Sequence, residues 1–489
     1  MKRSVICIIL GCLAAAFAPL ATNAQPSPQS QGADDLRRQL DELRNQMAAQ
    51  MKQINALQAR LDEVEREKPQ TTTAPGAKPA SPQQPDTPPE VPGEQVSEAT
   101  TKYKTFAEDS EAVARVNNAP LDPNYPGFFR LPGTQTFLKI GGYFKTDFIY
   151  DGKPAGNAES FVPSSFPTGA PGVNTSTVSI RPTRMNLDFR VPVKALGDIR
   201  FYVEADLFGS NATTPRLRHA YTQAKNFLIG QTFSNFMDAD AGPDTLDFQG
   251  PNADVLIRNP QVRYTLALAK RTSLSFSVEK PSSDVAFETP QFKDLPNSPS
   301  PDGTIKIRQE TSWGHIALAA VFRDVAAYLP NGKSDSVFGW GVNFTGAQKI
   351  VGKETFVWQA AYGAGIARYI QDSSGLGVDA AVVSSYQPYL RALHEVGTYF
   401  GYQHYWIPKV RSNVVYGFVN LNNTAYEPGS TYHKSNYMAT NLIWNVFGSL
   451  NVGTEFLYGW VINKDNSSRN APRIMFSAKY DLNFVRKPE

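Results

Sequence analysis

The chain has 489 residues, a formal net charge of +3 and only two cysteines, Cys7 and Cys12. This near-balance of charge argues against a protein that binds nucleic acid over a broad surface, because such binding depends on an excess of Lys and Arg. Both cysteines lie inside a predicted leader, so the mature chain can form no disulfide, no cysteine metal site and no cysteine nucleophile.

The first 24 residues predict a secretory signal peptide. Lys2 and Arg3 precede an apolar stretch, and Thr22-Asn23-Ala24 supplies a small-residue cleavage site. The apolar run is too short to span a bilayer. Leu10-Gly11-Cys12 faintly resembles a lipoprotein cleavage box, but cleavage there would leave a very short apolar core. We therefore expect an exported protein; without Lys2 and Arg3 it carries 46 basic and 45 acidic residues, a net charge of +1.

Residues 34–68 predict a coiled-coil helix, because apolar residues recur in alternating four- and three-residue steps over about four heptads. The stripe is too narrow for a helix buried in a globular core. We expect self-association, with packing on another protein as the alternative; the core residues are too mixed to set the oligomer number. The predicted seam is Leu36, Leu40, Leu43, Met47, Gln50, Ile54, Leu57, Leu61 and Val64.

Pro69 ends the predicted helix, and residues 69–133 predict a linker and a transition. The part up to residue 98 is rich in Pro, Gln, Thr and Ala, a composition that cannot bury a core and favours an extended spacer. A short helix near 106–116 is compatible with the rest of this region.

From about residue 135 the apolar residues recur at every second position, which predicts β-strands with one apolar and one polar face. Met185, Leu187 and Phe189 alternate with Arg184 and Asp188, for example. The predicted strands are 135–150, 177–191, 198–208, 215–224, 226–233, 260–269, 271–280, 303–312, 314–325, 336–346, 353–369, 387–406, 409–422, 433–447, 449–463 and 471–484.

Sixteen strands joined alternately by short turns and long segments predict an all-β transmembrane barrel, with the strands antiparallel, over residues 134–484. An even number of strands lets the first pair with the last, so that no strand edge meets lipid. Aromatic residues such as Trp340, Trp406 and Trp460 near strand ends are typical of the girdles at the membrane interfaces. A soluble protein of two packed sheets is the alternative for alternating strands, and the leader and the loop asymmetry oppose it.

Three segments resemble the DcaP-like porins: Arg218–Tyr221, Phe227–Asp238 and Thr245–Phe248. The heptad helix and the aromatic residue at 484 add to the resemblance, which is strong over 215–260 and architectural elsewhere. The resemblance implies a homotrimer of sixteen-stranded barrels in the outer membrane of a Gram-negative bacterium, with the coiled coil in the periplasm. It also implies passage of small negatively charged solutes, including dicarboxylic acids.

The last predicted strand carries a signature that resembles the recognition signal for the barrel-insertion machinery. Such barrels usually stop at the terminal aromatic residue, whereas here the tail 485–489 follows, so either the tail is tolerated or insertion is weakened. The signature residues are Phe476, Tyr480, Leu482 and Phe484.

Arginines at polar positions of the strands predict a basic wall inside the barrel. A charge on the lipid face near the midplane costs about 2–4 kcal/mol, so these side chains are expected to point inward. Guanidinium groups bind carboxylates with two hydrogen bonds, which predicts a modest preference for anions. Pairing with Asp188, Glu204 or Asp206 would make some of them electrically quiet. The predicted pore-lining set is Arg184, Arg190, Arg200, Arg216, Arg218, Arg263, Arg308 and Arg323.

By resemblance, the acidic segment 234–259 is assigned as the loop that constricts the pore; an exposed acidic turn is the alternative. Opposite the basic wall, its carboxylates would create a transverse electric field. The predicted constriction residues are Asp238, Asp240, Asp244, Asp247 and Asp254.

No motif for an enzyme, a metal site or a cofactor is present, and His394-Glu395 is the only suggestive pair for a barrel-based hydrolase. The expected partners are outer-membrane lipids, other copies of the chain and small anionic solutes. Two alternative functions stay open: a phosphate-selective porin of related architecture, disfavoured by the scarcity of strand lysines, and a barrel-anchored envelope tether acting through the coiled coil.

Overall fold

The structure is a computed structural model that describes residues 128–482 except 194–195, 211–212, 287–297 and 385. The predicted signal peptide, coiled coil and most of the linker lie outside these residues, as do Phe484 and the tail 485–489. Among the described residues, no helix has the length and apolar character needed to cross a membrane.

Within the described residues nearly all regular structure is β-strand. The strands are β1 (Phe129–Arg130), β2 (Phe137–Asp151), β3 (Thr175–Ser179), β4 (Arg184–Val193), β5 (Gly197–Asp206), β6 (Arg216–Ala224), β7 (Phe227–Phe233), β8 (Arg258–Ala269), β9 (Thr272–Glu279), β10 (Asp302–Thr311), β11 (Gly314–Tyr328), β12 (Ser334–Lys349), β13 (Thr355–Ala364), β14 (Ala380–Val383), β15 (Tyr389–Ala392), β16 (His394–Ile407), β17 (Val410–Asn422), β18 (Tyr432–Phe447), β19 (Leu450–Asn463) and β20 (Ser468–Asp481).

Strand pairing closes a barrel and confirms the predicted fold. Each long strand pairs antiparallel with the next, and β2 pairs with β20, with Phe144 opposite Tyr480. β3 and β4 both pair with β2 and act as one interrupted strand, so the described part of the chain forms a barrel of sixteen strands. Closure gives the backbone N–H and C=O groups of every strand edge a partner, which a hydrocarbon environment requires.

The alternation along each strand separates the two faces of the wall. Outward side chains such as Phe322 and Phe400 are about half exposed, and Phe338 is more so, whereas inward neighbours such as Arg323 are buried. The outside is therefore an apolar surface suited to lipid, and the polar side chains are gathered inside.

Connections at the two ends of the barrel differ in length, as the sequence predicts. One rim has tight turns such as 225–226, 270–271 and 448–449, where Lys225 and Gly448 adopt positive φ. The other rim carries long segments, of which 152–174, 234–257 and 365–393 matter most for the interior.

Two predicted strands extend too far. The prediction 353–369 is wrong beyond Ala364, because Ala367–Tyr369 forms a single 3-10 turn. The prediction 387–406 merges the barrel strand β16 with β15, which pairs only with β14 in a separate hairpin. The segment between these strands packs inside the barrel with Ile366 and Ile370 buried, so its apolar pattern does not stop where the ladder ends.

Candidate functional site

The segment 234–257 lies inside the barrel, against side chains that point inward from distant strands. Lys145 Nζ on β2 donates a hydrogen bond to the carbonyl of Leu246 at 2.8 Å. Glu455 on β19 accepts from the backbone N–H groups of Leu246 and Asp247 at 2.9 and 2.7 Å. We call this segment the inner loop.

Side-chain amides and a hydroxyl of the wall satisfy further carbonyls of the inner loop. Asn343 on β12 donates to Phe236 at 3.0 Å, Gln359 on β13 to Ala253 at 2.6 Å, Tyr399 on β16 to Ala241 at 3.3 Å and Asn441 on β18 to Asp244 at 2.9 Å. A buried loop needs such partners for its peptide groups. The wall from β12 to β19 is therefore built to hold this loop.

Small wall residues give the inner loop room. A Cβ placed on Gly417 of β17 would lie 2.3 Å from Asn252 Oδ1, which is far inside van der Waals contact. Apolar side chains fill the remaining space: Phe236 packs edge-on against Tyr369, with ring centroids 5.5 Å apart, and Leu246 is fully buried.

The segment 365–393 also reaches the interior, which the sequence did not indicate. Val255 of the inner loop forms a β-bridge with Ile370. Arg323 donates to Asp379 at 2.9 and 3.0 Å and to Asp302 at 3.3 Å. This buried ion pair fastens the segment 365–393 to the wall beside the inner loop.

Five of the predicted arginines come together on β4, β5 and β6. Arg200 makes two bonds to Asp188, at 3.1 and 2.9 Å, and Arg190 reaches the same carboxylate at 2.8 Å. Arg216 binds Asp206 at 2.7 and 3.0 Å.

Arg218 and Arg184 complete this group. Arg218 bridges Glu204 at 3.0 Å and Asp206 at 2.9 Å, and Arg184 lies 3.8 Å from Glu204. Phe248 of the inner loop stacks against both guanidinium groups, 5.0 Å from that of Arg184 and 5.4 Å from that of Arg218. The inner loop thus contacts the basic wall directly.

We call these residues the arginine cluster; its members are Arg184, Arg190, Arg200, Arg216, Arg218, Asp188, Glu204 and Asp206. Five guanidinium groups meet three carboxylates, so the cluster keeps a surplus of two positive charges. Asp188, Glu204 and Asp206 are the acids that the sequence offered as quenching partners, and they offset only part of the charge.

The other three predicted arginines lie apart from the cluster. Arg263 on β8 donates to Gln261 at 2.9 Å, and Arg323 anchors the segment 365–393 as described. Arg308 on β10 binds Asp238 at 3.1 Å and Asp240 at 3.0 Å, so it holds the start of the inner loop.

The acidic residues of the inner loop point to the wall that carries it. Besides Arg308, Asp238 contacts His315 at 2.9 Å, and Asp244 binds Arg411 at 2.6 Å. Asp247 accepts from the N–H of Gly250, and Asp254 is also buried. Asp238, Asp240 and Asp244 therefore offset the charge of cations that anchor the loop, and the transverse field between loop acids and wall arginines stays a prediction.

The pKa values of two carboxyls in the inner loop are shifted in opposite directions. Burial raises the pKa of Asp247 to about 6, against the opposing charges of Arg473 and Lys145. Burial acts the same way on Asp238, but the charges of His315 and Arg308 outweigh it and hold the pKa of Asp238 well below its usual range.

Apart from Arg308, the residues that seat the inner loop were missed from the sequence. Lys145 lies beside Asp147 on the inward face, and Glu455 and Arg411 are single charges on their strands, so only the alternation of the strands signalled the face. Lys306 similarly donates to the carbonyl of Met237 at 3.0 Å. Which inward side chains meet a loop depends on how the loop crosses the barrel, and no local pattern encodes this.

The pair that the sequence offered for a barrel-based hydrolase is separated by the strand. His394 and Glu395 are adjacent on β16 and point to opposite faces of the wall. Within the described residues, no group of three or more His, Cys, Asp or Glu side chains could hold a metal ion.

A closed barrel of sixteen antiparallel strands, apolar outside, polar inside and with a loop folded into its interior, defines a protein of the outer-membrane porin class. The family model described as DcaP outer membrane protein matches residues 130–482. The chain therefore belongs to the DcaP outer membrane protein family, which confirms the resemblance read from its sequence.

Solved structures with the same fold include the outer membrane channel DcaP of Acinetobacter baumannii, at 24% identity and a TM-score of 0.64, covering 72% of this chain and 99% of that chain. OmpT of Vibrio cholerae shares 12% identity at a TM-score of 0.45, over 72% of this chain and 99% of its own. OmpF of Salmonella typhi shares 8% identity at a TM-score of 0.47, and the match covers 72% of this chain and 100% of that chain. No curated protein matches the chain.

Proposed function

We propose that this outer-membrane protein is a porin through which small hydrophilic solutes diffuse passively, with a preference for anions such as dicarboxylates. The observation that supports this is the surplus charge of the arginine cluster. Two guanidinium groups beyond those needed to neutralise Asp188, Glu204 and Asp206 create a positive potential on one side of the barrel interior.

Carboxylates suit this cluster better than halide ions. A planar guanidinium group can donate two parallel hydrogen bonds to one carboxylate, as Arg200 does to Asp188. A dicarboxylate carries two negative charges into this potential, so its flux is expected to exceed that of a neutral solute of the same size. The eight predicted arginines thus divide by role. Arg190 and Arg216 have the most exposed side chains of the cluster and can meet a solute, whereas Arg184, Arg200 and Arg218 are buried and act through their charge. Arg308 and Arg323 hold loops, and Arg263 binds Gln261.

The experiment exploits the fact that two arginines are redundant partners. Arg190→Gln leaves Asp188 bound by Arg200, and Arg216→Gln leaves Asp206 bound by Arg218. The double variant R190Q/R216Q therefore removes two positive charges while Asp188 and Asp206 each keep one arginine partner. We expect its chloride-over-potassium permeability ratio, from reversal potentials in planar bilayers, to fall about threefold.

A double variant that removes two charges elsewhere provides the control. Lys333 lies in the turn between β11 and β12, and Lys409 lies in the turn between β16 and β17 at the opposite rim. K333Q/K409Q should keep the anion preference of the wild type. A cation-selective wild type, or equal losses in both double variants, would refute the role of the arginine cluster.

A phosphate-selective porin is the nearest rival, and two lysines bear on it. Lys145 and Lys306 both donate to carbonyls of the inner loop, so they serve as anchors and are poorly placed to form a lysine ladder for phosphate. Flux of orthophosphate above that of succinate, in the same bilayer assay, would favour the rival.

The proposal includes assembly as a homotrimer through the heptad helix 34–68, with that helix in the periplasm. The alternative, an envelope tether acting through this helix, uses the barrel only as an anchor. Conductance of the purified protein separates the two, since a tether does not need an open barrel.

A further inference from the structure

The lipid-facing surface carries a polar cavity at the rim of the long loops. Its volume is about 330 Å³, and it is lined by Tyr362 on β13, His394, Glu395 and Val396 on β16, and Asn420 and Asn422 on β17. Apart from Glu395, these residues are at outward positions of their strands. Polar side chains on the outside of a membrane barrel need an explanation.

Several donors in this region are unused. Within the part of the chain that the structure describes, the side-chain amides of Asn420 and Asn422 have no hydrogen-bond partner. The same holds for the ammonium group of Lys434, which is opposite Asn420 in the ladder between β17 and β18. His394 is stacked on Tyr362, with its Nδ1 3.3 Å from the tyrosine hydroxyl, and is opposite Asn422.

The same strands become apolar towards the short turns. Phe400 on β16 and Val414 on β17 point outward and are about half exposed, as is Phe418 to a smaller degree. Amides without partners are strongly disfavoured in hydrocarbon, where no water can satisfy them. The cavity must therefore lie at the level of the lipid headgroups, with the apolar side chains at the level of the acyl chains.

We propose that this surface binds an anionic glycolipid of the outer leaflet through its phosphorylated sugar headgroup. Lys434 supplies the charge for the phosphate, while Asn420 and Asn422 donate to phosphate and sugar oxygens. Tyr362 and His394 offer an aromatic surface for the sugar ring, and the acyl chains lie along Phe400 and Val414. This site uses the outer wall and is independent of the solute preference proposed above.

The test is native mass spectrometry of the full-length protein in detergent, titrated with bisphosphorylated hexa-acyl lipid A. We expect Lys434→Gln and Asn422→Leu each to weaken binding about tenfold. Lys333→Gln removes the same charge from the same rim, in the turn between β11 and β12, and should bind like the wild type. Dephosphorylated lipid A should bind the wild type no better than phosphorylated lipid A binds K434Q.

Three outcomes would overturn the proposal. Equal binding by the wild type, K434Q and N422L would mean that lipid A does not use this surface, and equal binding of both lipid A forms would remove the role of the phosphate. Loss of oligomers in the K434Q spectrum would assign the surface to contact between copies of the chain. Conductance of K434Q should equal that of the wild type. A failure of the lipid A proposal therefore leaves the porin proposal intact, and a failure of the porin proposal leaves the lipid A proposal intact.

Discussion

Asp188 illustrates how single charges are used inside this barrel. Its carboxylate forms ion pairs with both Arg190 and Arg200. Removing a sole buried partner strands a charge and is strongly destabilising, whereas removing one of two partners is not. This redundancy separates the effect of charge on solute passage from its effect on folding, and it makes the R190Q/R216Q experiment interpretable.

Asp247 gives a prediction of pH dependence at the same scale. Burial raises its pKa from 3.8 to about 6, so the folded protein keeps a proton that the unfolded chain has lost. The seated loop is therefore most stable below about pH 4, and stability falls as the pH rises towards 6, by up to about 3 kcal/mol. We expect the thermal unfolding midpoint of the detergent-solubilised protein to drop across this window.

Two variants test that assignment. Asp247→Asn stays neutral at every pH, so it should flatten the dependence of the unfolding midpoint on pH between 4 and 6. The neighbouring charged groups Arg473, Lys145 and Glu455 are the same in this variant as in the wild type. Asp465→Asn is the control, because that exposed loop carboxyl has a lowered pKa and titrates below the window. An unflattened D247N profile would show that another group is responsible.

At the scale of elements, the inner loop is held by its backbone as much as by its side chains. Wall side chains from Lys145 to Glu455 satisfy its peptide groups, and its acidic residues bind Arg308 and Arg411. A loop fixed in this way is expected to be rigid, as the proposed role in constricting the pore requires.

Gly417 provides a prediction for this element. A valine side chain there would meet Asn252, whose approach leaves no space for a Cβ, so the middle of the inner loop must move off the wall. We expect Gly417→Val to change single-channel conductance by about twofold or more and to increase current noise, while the barrel still folds.

The control for that prediction is Gly303→Val on β10, where an added Cβ meets nothing within 4 Å. It should conduct like the wild type. A quiet, unaltered current in G417V would mean that the contact between Gly417 and the loop does not set the pore size.

At the scale of the whole molecule, closure depends on residues more than three hundred positions apart. β2 and β20 pair from Tyr143 and Asp481 to Asp151 and Arg473, and Arg473 binds Asp151 across this seam at 2.7 and 2.9 Å. The barrel is thus complete in one chain, and any trimer adds contacts to a finished fold.

Deleting residues 34–68 tests the proposed assembly on this basis. The barrel should still fold and shift its mobility on heating, but trimers should be lost in native electrophoresis, because the heptad seam is expected to join the copies. Intact trimers accompanied by envelope defects would instead support the tether.

The sequence by itself determined the number of barrel strands, the extent of most of them and the face to which their side chains point. A period of two places Arg184, Arg200 and Phe322 on the correct sides of the wall without knowledge of their neighbours, because a strand alternates whatever it pairs with. Charged groups are too costly at the lipid face, so the inward direction of the arginines also followed.

Only the tertiary structure decided which charges meet. Arg308 and Arg218 look alike in sequence, yet one anchors the inner loop and the other joins the arginine cluster, since their partners come from segments distant along the chain. The path of 365–393 was hidden for the same reason: a loop buried inside a barrel is apolar like the strands around it, so the boundary between ladder and loop leaves no mark in the local pattern.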